Sequence, residues 1–290
     1  MTDLGTFGGR NSIALRINNS GQVVGNADTI AGTRAFLYSG STMTDLGTLG
    51  GAFSWAYGIN TSGLVVGHSS ITDNVAVHAF IYSGSTMTDL GTLGGTTSMA
   101  FGINASGQVV GGAWTTDDAA YHAFLYSGST MIDLGTLSGT ESEAWAINEI
   151  GQVAGWASTI GGNSHAFIYS GSIMSDLGTL GGSQSAACDI NNSGQIVGYS
   201  NTAGDAAQHA FLYNGSMMTD LNTLVDPLSS WTLECAYDIN DAGQIVGYGD
   251  HGSETHAYLL TPIPEPSTYL LLCTALLGIG WVGLVRRCRE

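Results

Sequence analysis

Residues 103–137 read I-N-A-S-G-Q-V-V-G-G-A-W-T-T-D-D-A-A-Y-H-A-F-L-Y-S-G-S-T-M-I-D-L-G-T-L. Four short apolar pieces are separated by Gly, Ser and Asn, the pattern of strands bounded by turns. Asn104-Ala105-Ser106-Gly107 places Gly last, where a type I turn followed by a bulge needs a positive φ. Ser127-Gly128 marks a second hairpin. The stretch therefore predicts four antiparallel strands, with the Ile-Asn strand first and innermost.

The same pieces recur throughout the chain. Ile-Asn returns with Ile at 17, 59, 103, 147, 190 and 239. A-Y-G-I-N (56–60), G-Q-V-V-G (107–111), H-A-F-L-Y (122–126) and M-T-D-L-G-T-L-G-G (43–51) stand for the four strands of each unit. Repetition at this period, without helical patterning before residue 267, predicts an all-β fold: a six-bladed β-propeller of four-stranded antiparallel blades. A parallel β-helix fits less well, because its rungs are shorter and carry no such hairpins. Met1-Thr2-Asp3-Leu4-Gly5 is a fourth-strand piece, and His256-Ala257-Tyr258-Leu259-Leu260 is a third-strand piece. The expectation is that residues 1–5 close the ring as the last strand of blade six, leaving no sheet edge.

Composition limits the function. The 290 residues carry 6 basic against 23 acidic side chains, a net charge of −17, with no lysine. So acidic a surface repels phosphate backbones and excludes nucleic-acid binding. No P-loop, G-x-S-x-G, H-E-x-x-H or C-x-x-C occurs.

The ordered set D-L-G-T-L-G-G, I-N, G-Q-V-V-G and H-A-F-L-Y resembles the HAF family of bacterial extracellular repeats, across residues 1–261. That resemblance implies a surface or secreted protein and no established activity. The tail resembles a PEP-CTERM sorting signal: Pro264-Glu265-Pro266, an uncharged run Ser267–Val285, and Arg286, Arg287 and Arg289 at the end. Nineteen helical residues rise about 28 Å, close to the hydrocarbon thickness of a bilayer, and the arginines hold the C-terminus in the cytoplasm. The expected domains are a propeller (1–261), a Pro-rich linker (262–266), a transmembrane helix (267–285) and a basic tail (286–290). The resemblance implies an exosortase-type membrane transpeptidase as partner. It also implies anchoring in the inner membrane before processing, then a place at the cell surface or outside it. No apolar leader precedes the first repeat, and Met1 aligns with the repeat methionines, so the true start is expected upstream.

Residues present once per blade solve a problem every blade has. His78, His122, His165, His209 and His256 are therefore read as structural, bonded to an Asp or backbone group of their own blade, and no catalytic or metal-binding residue is assigned. Function is expected from the segments that vary, between the second and third strands. These carry His68, Asp73, Trp114, Asp117, Asp118, Trp156, Tyr199, Asp205, Tyr248, Asp250, His251 and Glu254. Aromatic faces with carboxylates suit carbohydrate, so the expected activity is non-enzymatic binding of exopolysaccharide or a structural role. The alternative is a glycoside or ester hydrolase using the loop carboxylates. No cofactor is expected; Asp117-Asp118 is where Ca²⁺ would find oxygen ligands. Cys188 and Cys235, on neighbouring first strands, are either a disulfide or two buried thiols. Asn222–Glu234, which lengthens the last repeat, is expected to plug the closing blade with Trp231.

Overall fold

The computed structural model describes residues 1–263. The strands pair as successive antiparallel meanders. The first comprises β1 (Gly8–Ile17), β2 (Val23–Thr29), β3 (Thr33–Ser39) and β4 (Thr42–Asp45), and the second β5 (Gly50–Ile59), β6 (Val65–Ile71), β7 (Val77–Ser83) and β8 (Thr86–Asp89). The third has β9 (Gly94–Ile103), β10 (Val109–Thr115), β11 (Tyr121–Ser127) and β12 (Thr130–Asp133). The fourth has β13 (Ser138–Ile147), β14 (Val153–Thr159), β15 (Ser164–Ser170) and β16 (Ile173–Asp176). The fifth has β17 (Gly181–Ile190), β18 (Ile196–Thr202), β19 (Gln208–Tyr213) and β20 (Met218–Asp220). The last has three strands: β21 (Trp231–Ile239), β22 (Ile245–His251) and β23 (Glu254–Leu260).

Turn chemistry fixes each meander. Between β9 and β10, Gly107 N–H donates to Asn104 O (3.0 Å), Gln108 N–H donates to Asn104 Oδ1 (3.0 Å), and Gly107 sits at φ 80°. The Asn side chain thus caps its own turn. Its amide also reaches the next meander. Asn18, Asn60, Asn104, Asn148 and Asn191 each donate through Nδ2 to the carbonyl of the following turn Asn, at 3.0–3.2 Å.

Meanders stack face to face, which is why their strands are apolar on both sides. Val66, Ala79 and Leu90 of the second meander form one core with Ala100, Val109, Ala113 and Phe124 of the third. Equivalent cores join the first to the second, the third to the fourth, the fourth to the fifth and the fifth to the last. A buried serine stitches four of these seams. Ser98 Oγ accepts from Ala79 N (2.8 Å) and donates to Gly91 O (2.5 Å), and Ser54, Ser142 and Ser185 repeat the arrangement. At the fifth seam Leu233 stands in place of serine. Asn222 there substitutes for the relay, accepting from Leu233 N at 2.7 Å and donating to Leu233 O at 2.9 Å. Trp231 packs against that core, at the seam between the fifth and last meanders.

The expected closure by residues 1–5 is not formed. Met1–Thr6 make no strand, and β23 pairs with β22 alone among the described residues. Asp3 Oδ1 instead accepts from Gly5 N at 2.9 Å, a local turn that needs no partner strand. The first and last meanders share no core cluster, and their facing sides are open to solvent: Val246 is 43% exposed where Val110 is 0%, and Ile17 is 69% exposed where Ile239 is 4%. The expected transmembrane segment 267–285 and the basic tail lie outside the described residues.

Candidate functional site

Every first strand carries a bulge at the same place. The register shifts between Ala14 and Arg16, Ala56 and Gly58, Ala144 and Ala146, Ala187 and Asp189, and Ala236 and Asp238, with the matching shift of β9 at Phe101. A bulge adds one residue to a strand and re-aims a side chain. The second Gly of G-Q-V-V-G makes room for it. A Cβ on Gly111 would lie 1.8 Å from Met99 O, and one on Gly67 would lie 1.8 Å from Trp55 O.

The bulged residues Leu15, Tyr57, Phe101, Trp145, Cys188 and Tyr237 converge on one axial cavity of about 480 Å³. Arg16 and Asp238 also line it. An adjoining space of about 140 Å³ adds Asp189 and the ends of the first strands at Ile59, Ile103 and Ile147. The cavity therefore lies toward the Ile-Asn turns, at the opposite end of the first strands from the variable segments. Tyr57 and Phe101 rings sit 5.4 Å apart. Trp145 is held by donation from Nε1 to Glu143 Oε2 at 2.7 Å.

Two carboxyls meet in this wall. Burial, then the neighbouring charge of Asp238, push the Asp189 carboxyl up to about 7. Asp189 Oδ2 also accepts from Ile239 N at 2.9 Å. The site thus combines ring faces, two carboxyl groups and a guanidinium, which together can donate and accept hydrogen bonds.

The candidates of the variable segments are spread over the second to the last meanders. His68 lies buried beside Phe53, Trp55 and Tyr57, and desolvation lowers its imidazole to about 4, so it is neutral. Trp114 packs edge-on to Tyr121. Asp73 and Asp117 occupy left-handed positions (φ 64° and 60°) in short 3₁₀ turns. Asp118 accepts from Thr96 N (2.7 Å) and Thr96 Oγ1 (2.9 Å). Asp205 accepts from Ser183 N (2.7 Å), which lowers its carboxyl. Asp250 accepts from Thr255 Oγ1, Glu254 contacts His256, and His251 stacks on Trp231. Tyr248 lies against Tyr237. Trp156 and Tyr199 come together, lining a groove of about 180 Å³ between the fourth and fifth meanders that also touches Trp145, and His251 pairs with Glu254 across a hairpin. The repeat histidines bond within their meanders: His78 to Asp89 (2.8 Å), His122 to Asp133 (2.9 Å), His165 to Asp176 (2.8 Å) and His209 to Asp220 (2.7 Å).

Apart from Cys188, the axial residues do not stand out in the sequence because they lie inside a repeated motif. Their signal is nonetheless present. In A-x-x-I-N the two central positions run Leu-Arg, Tyr-Gly, Phe-Gly, Trp-Ala, Cys-Asp and Tyr-Asp between constant neighbours.

Comparison with known proteins places this architecture. The chain is all-β and propeller-like. It matches the β-propeller domain of the Trilobed protease from Pyrococcus furiosus with a TM-score of 0.56 at 10% identity, covering 87% of this chain and 83% of that one. It also matches TolB from Acinetobacter baumannii with a TM-score of 0.52 at 12% identity, covering 83% of this chain and spanning only 61% of TolB. At such identities the likeness shows the fold alone. Residues 262–287 match the PEP-CTERM protein-sorting motif, which marks an exported protein. No curated protein matches the chain.

Proposed function

We propose that the chain is an exported, six-bladed propeller that binds a saccharide of the cell envelope or matrix in its axial cavity. In this reading the body spans 1–261 and the linker 262–266. Residues 267–285 hold the protein in the inner membrane, and 286–290 stay cytoplasmic. An exosortase-type transpeptidase then processes the chain and delivers the body to the cell surface or beyond. The sorting motif at 262–287 supports the route.

The observation that carries the binding reading is the convergence of Tyr57, Phe101, Trp145 and Tyr237 with Asp189, Asp238 and Arg16 on one cavity. Rings cover the apolar faces of sugars, and carboxyls exchange hydrogen bonds with hydroxyls. Hydrolysis by the same cavity is the second reading, because Asp189 keeps a proton near neutral pH.

The test is titration of the purified protein with neutral and acidic oligosaccharides from bacterial exopolysaccharide, read by Trp fluorescence and by product analysis. Saturable quenching without turnover is expected, with Trp145→Ala and Asp238→Asn each weakening it tenfold or more. Silence across the whole glycan set overturns the reading. Turnover lost in Asp189→Asn replaces it with the hydrolase.

A further inference from the structure

Trp145 lines more than the axial cavity. It is also one wall of the 180 Å³ groove between the fourth and fifth meanders. That groove has an origin in the repeat. β17 carries Ala186 where the other first strands carry Ile13, Trp55, Met99, Glu143 and Cys235, each paired with the residue after the second Gly of the G-Q-V-V-G piece. The short side chain leaves a space, which Trp156, Tyr199 and Gln184 line. Glu143 Oε2 accepts from Trp145 Nε1 at 2.7 Å and from Trp156 Nε1 at 3.4 Å, and so holds the two indoles relative to each other. The groove adjoins a second depression, of about 290 Å³, at Ser164, which lines both. This depression lies where β13 begins, against the turn from β14 to β15, and Glu141 is in its wall. Cavity, groove and depression thus follow one another from the axis to a variable segment, joined at Trp145 and Ser164.

We propose that these three spaces are successive subsites for one saccharide chain, and that the ligand is a neutral oligosaccharide bound lengthwise rather than a single sugar. This rests on the reading of the axial cavity as a saccharide site and adds the path by which the chain leaves it.

Three observations carry it. The spaces are contiguous through shared side chains, so a chain that crosses Trp145 from the axis enters the groove directly. Aromatic rings recur along the path, with Trp145 followed by Trp156 and Tyr199, and ring faces cover successive sugar faces. The Gln184 carboxamide and the Tyr199 hydroxyl bring donors and acceptors suited to sugar hydroxyls. Charge selects the neutral chain. Among the described residues no basic side chain lines the groove or the depression, whereas Glu141 lines the depression and Glu143 stands behind both indoles. A chain of uronic acids meets like charge there.

The experiment titrates the full chain by calorimetry with a size-fractionated ladder of neutral oligosaccharides released from bacterial exopolysaccharide, and with a uronic-acid ladder of the same lengths. Affinity for the neutral ladder is expected to rise about tenfold or more from disaccharide to hexasaccharide. Trp156→Ala should remove most of that rise and leave disaccharide affinity within about twofold. Ala186→Met puts into the groove the side chain that β9 carries at the same position, and should remove the rise without deleting a ring. It also keeps the test open if Trp156→Ala does not fold; if neither variant folds, the length dependence of the natural chain decides. Affinity that is flat with length, a rise that survives both variants, or preference for the acidic ladder overturns the proposal and leaves the axial reading standing. Silence at every length overturns both.

Discussion

The seam between the second and third meanders and the bare faces of the first and last are written in nearly the same residues. Ser98, Ala100, Val109 and Val66 build the former; Ser12, Ala14, Val23 and Val246 are their counterparts on the latter. Within the seam Ser98, Ala100, Val109 and Val66 are fully buried, and Ser98 bonds across it on both sides. On the bare faces Ser12 and Ala14 are exposed, and Asn240 Nδ2 reaches only Gln244 of its own turn (2.9 Å). Local sequence therefore builds the meander. Burial and the blade-to-blade bonds come from having a neighbour.

That contrast can be broken at its strongest point. Phe124 is fully buried in the core shared by the second and third meanders. Phe124→Ala should cost about 3–5 kcal/mol in chemical denaturation. A paired substitution sharpens the comparison directly. Val110→Ala, at a position with no exposure, should cost on the order of 2 kcal/mol, whereas Val246→Ala should stay within about 0.5 kcal/mol. Equal losses would mean that the bare face is covered in solution. The serine pair follows: Ser98→Ala leaves Ala79 N–H and Gly91 O unpaired and should cost about 1–3 kcal/mol, while Ser12→Ala should be nearly silent in the same measurement.

The smallest effect is a pH slope. Asp189 titrates near 7 in the folded chain and near its ordinary value of about 4 when unfolded. Between those values the folded state holds more protons, so this group makes stability fall as pH rises from about 4 to about 7. His68, lowered to about 4, acts in the opposite sense: its contribution is complete above about 6.5 and is lost as pH falls toward 4. The difference between Asp189→Asn and the natural protein isolates the first group. The variant's relative thermal midpoint should be higher at pH 8 than at pH 4.5, and a flat difference would remove the buried-carboxyl account.

How much was legible in the sequence follows from the range of each interaction. Asn104 and Gly107 declare their turn because its hydrogen bonds close within five residues, and the all-β meander follows from such turns. The pairing of Met1–Gly5 with β23 was inferred from repeat phase alone. Phase fixes which residues match, yet it does not weigh a strand pairing against the local Asp3–Gly5 turn. Side chains of the variable segments that cap backbone are hard to tell from free ones for a related reason. Asp118 and Asp205 look free in a variable loop, but their carboxylates cap backbone amides some twenty residues away. Tyr57 and Trp145 look like core residues of a repeated strand, and the bulge that turns them to the axis depends on a carbonyl lying where the next strand has glycine.

That bulge has a wider consequence. Because constant Ala and Ile hold the backbone on either side, the axial side chain contributes to the lining without setting strand register. Leucine, tyrosine, phenylalanine, tryptophan and cysteine already occupy the same socket in a single molecule. The axial lining is thus a set of interchangeable fittings, and a relative could reshape it by exchanging those few residues while every strand around it stays as it is.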